Sequence, residues 1–285
     1  MEIPFTKMHG LGNNYIYIDL FSIQLHESWF SPIAKAVANV NTGIGSDGLI
    51  IIHPSKNANL GMRIFNRDGS EGQSCGNGLR CTARYAYDHF IVDDANFTIE
   101  TRAGIVQAHI KENVNGIGDI TINMGKPLLL RKDIPMIGKG DDVVIGEDFT
   151  LDEEKVKITA LFMGNPNAVI FVDDLQNVPL AKWGPLIEGD PRFPNRVNVE
   201  FVEIVNEREI KVAVWERGSG ATQACGTGAC AAVVASVMNG HIGRNQQIDV
   251  HLPGGKLQIS WSGSNDVWMT GPATYIAKGT FTFDM

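Results

Sequence analysis

The chain has 285 residues, 44% of them hydrophobic, and a formal net charge of −8. That length and apolar content can bury a sizeable core and suit two domains of ordinary size. Charges are dispersed and Lys/Arg do not cluster, which argues against a nucleic-acid partner or an anionic membrane surface; no run approaches 18 apolar residues, so no membrane span is expected.

The N-terminal segment "MEIPFTKMHGLGNN" lacks a basic stretch followed by an apolar one, so no signal peptide is expected. Four cysteines in a chain this long, without an export signal, indicate reduced thiols in the cytoplasm. Along the chain, "YIYIDLF" (15–21) reads as a strand after the loop "HGLGNN". "SPIAKAVANVN" (31–41) reads as a helix, with Ser31 as N-cap and Pro32 in its first turn. "GIGSDGLIIIH" is a glycine-rich turn entering a buried strand. Next come a hairpin at 96–110 around Ala103-Gly104 and a short strand at 119–125.

The stretch "RIFNRDGSEGQSCGNGLRCTARYAYD" (63–88) is answered 150 positions later by "AVWERGSGATQACGTGACAAVVASVM" (213–238). Without a gap, Arg67 aligns with Arg217, Gln73 with Gln223, Cys75 with Cys225, Gly76 with Gly226 and Gly78 with Gly228. In both copies a β-forming run enters a glycine-rich turn, and Cys-Gly-x-Gly then opens a helix. The flanks repeat too: 162–174 answers "MHGLGNNYIYIDL", 196–205 answers the turn and buried strand, 247–261 the hairpin, and 266–271 the short strand. Collinear matches of this kind predict an α+β fold of two homologous domains related by a pseudo-twofold axis. Each is a mostly antiparallel, strand-rich sheet wrapped around a long central helix. The first domain covers 1–126 and the second 127–272, with a C-terminal strand, 273–285, able to cross back to the first. The stretch 127–155 has no counterpart and reads as linker plus the edge of the second domain.

A cysteine at a helix start feels unpaired backbone N–H groups and the positive end of the helix dipole, which favour thiolate. The neighbouring glycines let a ligand approach the backbone closely, and the same N–H groups suit a carboxylate. Two such helices aimed at one cleft would place a sulfur on each side of a substrate carbon. One sulfur would remove a proton and the other return one from the opposite face, inverting the centre. Cys81 and Cys230 fall mid-helix at unmatched positions and read as core. The cysteine spacings, five and four intervening residues, do not fit a zinc site, so no metal is expected. Asn13, Asn165 and Asn198 lie in loops before strands, where a turn role and a ligand contact are both open. Glu216 and Arg217 end a strand ahead of the second cysteine turn, where they could pair with each other or meet a substrate's second polar end.

"FTKMHGLGNN", "IFNRDGSEGQSCGNGLRC", "MGNPN", "RVNVEF" and "VWERGSGATQACGTGACAAVVAS" together resemble the diaminopimelate epimerase family over essentially the whole chain. The resemblance implies a cofactor-independent, metal-free isomerase that interconverts L,L- and meso-diaminopimelate in lysine and peptidoglycan precursor synthesis, working as a homodimer on a small amino-acid substrate. It implies Cys75 and Cys225 as the acid/base pair, and Gly76, Asn77, Gly226 and Thr227 as helix-start donors to the carboxylate at the reacting centre. It further implies Asn66, Asn165, Asn198 and Arg217 as the grip on the distal end, Glu216 as an amino-group partner and Asn13 as another substrate contact. The chain departs from the family pattern at Asn167, where His is usual, and at Gly48, where some relatives have Gln. Two other classes stay open: a related racemase, epimerase or dehydratase for another amino acid such as hydroxyproline, and a non-catalytic amino-acid binding module.

Overall fold

The structure is a computed structural model that describes residues 1–113, 116–151 and 154–283. Of the stretches read above, residues 152 and 153 of the 127–155 segment and the last two of 273–285 lie outside these. The chain divides into two compact units, Met1–Ile122 with Thr270–Met285, and Asn123–Met269.

In the first unit, β1 (Glu2–Gly10) and β2 (Asn13–Asp19) form an antiparallel hairpin. Helix α1 (Phe30–Ala38) then carries the chain to β3 (Gly48–His53), which lies parallel to β2. β3 turns back into antiparallel β4 (Leu60–Asn66), and α2 (Gly76–Asp88) crosses to β5 (Asn96–Thr101), parallel to β4. β6 (Gly104–Asn113) and β7 (Gly116–Asn123) complete an antiparallel meander. The C-terminal strand Thr274–Thr282 pairs antiparallel along β1.

The run "LIIIH" in β3 has no alternation because both of its faces are covered. Leu49 and Ile51 face α1 with Ile16, Ile18, Ile33 and Val37. Ile50 faces α2, where its Cδ1 lies 2.7 Å from where a Cβ on Gly78 would sit. At the 96–110 hairpin the turn is closed by Thr101 opposite Gly104, whose φ of +125° favours glycine.

The second unit repeats this order of pairings. It opens with an antiparallel hairpin of β8 (Val144–Leu151) and β9 (Glu154–Phe162), and β10 (Pro166–Val172) pairs antiparallel with β9. Helix α3 (Leu180–Glu188) leads to β11 (Asn198–Asn206), parallel to β10, and β12 (Glu209–Glu216) returns antiparallel. After β13 (Gly220–Thr222), α4 (Gly226–Met238) crosses to β14 (Gln247–Leu252), parallel to β12, which is closed by β15 (Gly255–Ser260). The sequence "ACAAVVASV" of α4 has no polar stripe, and residues 228–237 are all buried. Among the described residues no helix is long and apolar enough to cross a membrane.

Two local expectations are corrected. Ser31 is not an N-cap: a 3-10 turn, Glu27–Trp29, is capped by the His26 side chain, and α1 continues from it at Phe30. That helix also stops at Ala38, because the Asn39 Oδ1 takes the N–H groups of Asn41 and Thr42 and turns the chain away. The stretch 127–155, read as linker plus the edge of the second domain, supplies β8 and the start of β9. Arg131, buried at its base, donates to Asp142 (2.8 Å) and to Glu147.

One ion-pair cluster ties the strands of the first unit together. Arg63 donates to both Glu71 oxygens (2.7 and 3.1 Å) and to Glu27 (2.7 Å), and Arg102 adds a contact to Glu71 at 3.2 Å. The Arg63 hydrogen bond outweighs partial burial and holds the Glu71 carboxyl below its usual 4.5. A depressed carboxylate contributes stability that is present above its unfolded value and lost as pH falls through the folded one. Glu71→Gln should therefore lower the melting temperature at neutral pH, by the equivalent of about 1 kcal/mol or less. Melting scans from pH 7 to 3 should show this gap closing as wild type is acidified; a gap that persists in acid contradicts the assignment.

Candidate active site

Each cysteine singled out by the repeat is the N-cap of its helix. The Gly78 N–H donates to Cys75 Sγ at 3.5 Å, and the Gly228 N–H donates to Cys225 Sγ at 3.4 Å. A sulfur here takes the place that a Ser or Asp oxygen usually occupies, accepting one of the orphan amide protons of the first turn.

Around Cys75, which is half-buried, the first unit gathers Asn13, Asn77 and Gly76. The Cys75 thiol donates to Asn13 Oδ1 at 3.6 Å, and the Asn77 side-chain amide donates to the same oxygen at 3.2 Å. Asn13 in turn donates to Asp47 Oδ2 (2.9 Å), which also accepts the Asn14 N–H (2.8 Å). Arg80, fully buried, donates to Asn77 Oδ1 (2.7 Å) and to the Gly76 carbonyl (3.4 Å), fixing the first turn of α2. Tyr15 is buried beside this set and its phenol is pushed well up, by burial first and then by Cys75. Asn66 lies at the exposed end of β4, where its side chain donates to Ser70 Oγ (3.0 Å).

Around Cys225, which is buried, Thr227 Oγ1 lies 3.3 Å from Sγ, and Gly226 opens the helix. Glu216 ends β12 and accepts from the Thr222 hydroxyl at 2.6 Å. The Arg217 N–H donates to Asn198 Oδ1 (2.9 Å) and its guanidinium to the Asn195 carbonyl (2.9 Å). Asn165 accepts the Asn167 amide through its carbonyl and its Oδ1 (2.7 and 3.1 Å), and Asn167 lies opposite Asn198 in the β10–β11 register. Asn167 is thus a buried structural link that cannot titrate as a histidine would.

The helix start was expected to favour thiolate at both cysteines; at Cys225 it does not prevail. Burial pushes this thiol well up, Glu216 and Glu200 push in the same direction, and the Thr227 and Gly228 hydrogen bonds only offset part of that. Cys225 therefore rests as a thiol. Cys81, buried in the core as expected, is pushed up to about 11 by the same loss of solvent, and Cys230 is likewise fully buried. Gly48, noted above as a departure, has no room for a side chain. A Cβ there would lie 2.1 Å from the Phe65 carbonyl, and Tyr15 Cε1 packs 3.1 Å from the same point. Asp47, Arg80 and Glu200 were missed in the sequence, although all three lie inside or beside its motifs.

The family model described as diaminopimelate epimerase matches residues 5–130 and 159–276. A diaminopimelate epimerase from Oceanobacillus iheyensis is 55% identical over 99% of each chain, and one from Bacillus anthracis is 53% identical over 99% of this chain and 98% of that one. The chain belongs to the diaminopimelate epimerase family. Among solved structures it is similar to a Bacillus anthracis protein of the PhzF family (TM-score 0.73, 17% identity, covering 99% of this chain and 100% of that one). It is also similar to a hydroxyproline epimerase from Agrobacterium vitis (TM-score 0.73, 13% identity, 98% and 92%). At such identities these two establish the fold alone, a sheet-rich α+β arrangement with few helices.

In this member of the family the glycine at the third helix position is set by close approach. A Cβ on Gly228 would lie 2.7 Å from Glu200 Oε1 and 3.4 Å from Cys225 Cβ. Gly228→Ala should therefore destabilise the fold by about 1–3 kcal/mol through overpacking, against the ~1 kcal/mol that Ala otherwise adds to a helix. Urea denaturation gives the sign: a variant as stable as wild type would show that the helix start is not pinned on the sheet.

Proposed function

We propose that the chain interconverts L,L- and meso-diaminopimelate by a two-base reaction in which Cys75 and Cys225 act from opposite faces of the α-carbon. The enzyme is an isomerase of the racemase/epimerase type, and its full-length relatives act on diaminopimelate. The observation that carries the mechanism is the same cap in both units: a cysteine Sγ held by the third amide of a buried helix. In this reading the two units are pseudo-twofold-related repeats, each sheet wrapped around its long helix, so that both helix starts address one substrate.

The substrate carboxylate would lie on the amide groups of Gly76, Asn77, Gly226 and Thr227, where helix-start dipoles favour negative charge. One sulfur, as thiolate, removes the α-proton; the other, as thiol, delivers one to the opposite face. The resting thiol state of Cys225 supports its use as the acid in one direction, with Cys75 as base, and the roles exchange in reverse. No cofactor takes part in this scheme: negative charge on the carbanion is stabilised by the fixed amides around it. Asn13 contacts the substrate and also accepts the Cys75 thiol; Glu216 meets an amino group; Asn66, Asn165, Asn198 and Arg217 hold the distal end. The reading places the enzyme in the cytoplasm, in lysine and peptidoglycan precursor synthesis, as a homodimer.

The test is solvent-deuterium uptake at the α-carbon of L,L-diaminopimelate, with loss of signal in each cysteine variant. Cys75→Ser and Cys225→Ser should both fold, because a serine oxygen is a good helix cap. Both should lose most epimerisation, because a hydroxyl is too weak an acid to serve as base or to cycle near neutral pH. Normal turnover in either would sink the two-base scheme.

The distal grip has its own consequence. A guanidinium can hold a carboxylate in two parallel hydrogen bonds, and the ammonium of lysine cannot reproduce that fork. Arg217→Lys should lower kcat/KM on diaminopimelate at least about tenfold, corresponding to ~1.4 kcal/mol of transition-state binding. Wild-type enzyme should leave free lysine, which lacks the second carboxylate, unracemised. Efficient racemisation of lysine would refute this distal site.

A further inference from the structure

Beneath the start of α4 lies a group with no role in the scheme above. Glu200, on β11, is fully buried, and neither carboxyl oxygen has a hydrogen-bond partner. Its register partners are Val169 on β10 and Val214 on β12, both apolar. The next row on the same face, two residues along each strand, holds Asn167, Asn198 and Glu216. Two atoms of that row, Asn167 Oδ1 and Asn198 Nδ2, are also buried without a partner. From above, the carboxyl packs against the Cα of Gly228. A methyl placed on that carbon would be in contact with both Glu200 Oε1 and Cys225 Cβ.

An isolated carboxylate in such surroundings is far more expensive to bury than the neutral acid, so the group keeps its proton. The titratable groups that act on it are Glu216 from β12 and Cys225 at the start of α4; on β10 the neighbours on that face are Asn167 and Val169. Burial, and after it Glu216, pushes the Glu200 carboxyl well above the usual range. A neutral carboxylic acid differs from a carboxylate in one decisive respect: it donates. Its O–H is then a proton-bearing group set against the same glycine whose N–H already caps the Cys225 sulfur.

We propose that Glu200 is an uncharged carboxylic acid and a positioning residue for Cys225, its hydroxyl supplying a hydrogen bond to the thiolate that forms when Cys225 has given up its proton. No bond is broken in this step. The Cys225 proton goes to the substrate carbanion, the thiolate appears, and the Glu200 O–H turns toward it until the proton returns in the reverse reaction. A thiol raised by burial and by Glu216 would otherwise be a poor base in the direction that needs its thiolate. This inference rests on the two-base reading above, and it addresses one half of it.

The experiment measures the pH dependence of alkylation at each cysteine by iodoacetamide and peptide mass spectrometry, with no substrate present. Cys75 in the same sample serves as the internal reference. Glu200→Gln keeps an N–H donor and no charge, so the Cys225 midpoint should stay within about half a pH unit of wild type. Glu200→Leu removes the donor and should raise that midpoint by about one unit or more, with Cys75 unmoved. A midpoint that falls in both variants would show a charged Glu200, and an unmoved midpoint in Glu200→Leu would show a carboxyl with no hold on the sulfur; either overturns the proposal. If Glu200→Leu does not fold, infrared spectroscopy decides. A protonated-carboxyl C=O band should be present in wild type at neutral pH and absent in Glu200→Gln, and its absence from wild type overturns the proposal. Because no substrate is used, these outcomes stand apart from deuterium uptake by wild type, which tests the epimerase reading itself.

Discussion

Each cysteine depends on one hydrogen bond, made once in each unit: the backbone amide of the third helix residue donating to the sulfur of the cysteine that caps the helix. The bond requires the amide of Gly78 or Gly228 to face the sulfur while its Cα presses on the sheet below. Glycine allows both without displacing the neighbour below. What lies below then becomes part of the sulfur's environment, and here the two units differ. Under α2 the nearest group is the Ile50 side chain; under α4 it is the Glu200 carboxyl. A duplicated motif has therefore been set on two unlike floors.

Magnitudes decide how each thiol behaves. A helix start is worth about 0.3–1 kcal/mol to a nearby anion and up to ~2 in buried geometries. Complete loss of solvent shifts an ionisable group by up to roughly 3–5 units, several times more. At Cys225, burial first and the Glu216 charge after it therefore overrule the dipole. The motif supplies position and direction, and the surroundings supply the protonation state. This separation suits the two-base scheme proposed above, in which one sulfur starts each turnover charged and the other neutral.

Much of this was legible in the sequence because the repeat states it twice. The cysteine caps, the crossover helices, the hairpins at 96–110 and 247–261 and the core positions of Cys81 and Cys230 follow from glycine spacing and apolar runs. β1 was less visible, since the "HGLGNN" stretch that closes it reads as loop and Pro4 interrupts its strand pattern. Pro4 is accommodated there in a strand whose partners are β2 and the C-terminal strand. The edge role of 127–155 was legible, but the strand pattern of the β8–β9 hairpin within it was hidden by acidic and glycine residues. Ser31 resembled a cap because sequence alone does not reveal that a 3-10 turn already feeds the helix. Glu200 was the hardest case. In "NVEFV" the alternation puts Asn198 and Glu200 on one face and Val199 and Phe201 on the other, and pattern reasoning assigns the polar face to water. The apolar helix α4 covers it instead.

That inversion shows where the fold yields to the site. Asn167 Oδ1, Asn198 Nδ2 and both Glu200 oxygens have no partner within the chain, and a buried polar atom left wholly without one costs on the order of 1–3 kcal/mol. Arg80 makes the contrasting case in the first unit: it is equally buried, but its guanidinium is spent on Asn77, the Gly76 carbonyl and the Pro272 carbonyl. A chain selected for stability alone would place valine at 200, as it does at the flanking positions 169 and 214. The loss is tolerable because the rest of α4 is almost wholly apolar, and its one buried hydroxyl, Ser236, is satisfied by the Ala232 carbonyl. The plainness of that helix and the awkwardness of the carboxyl beneath its first turn belong together: the first supplies the stability that lets the second remain.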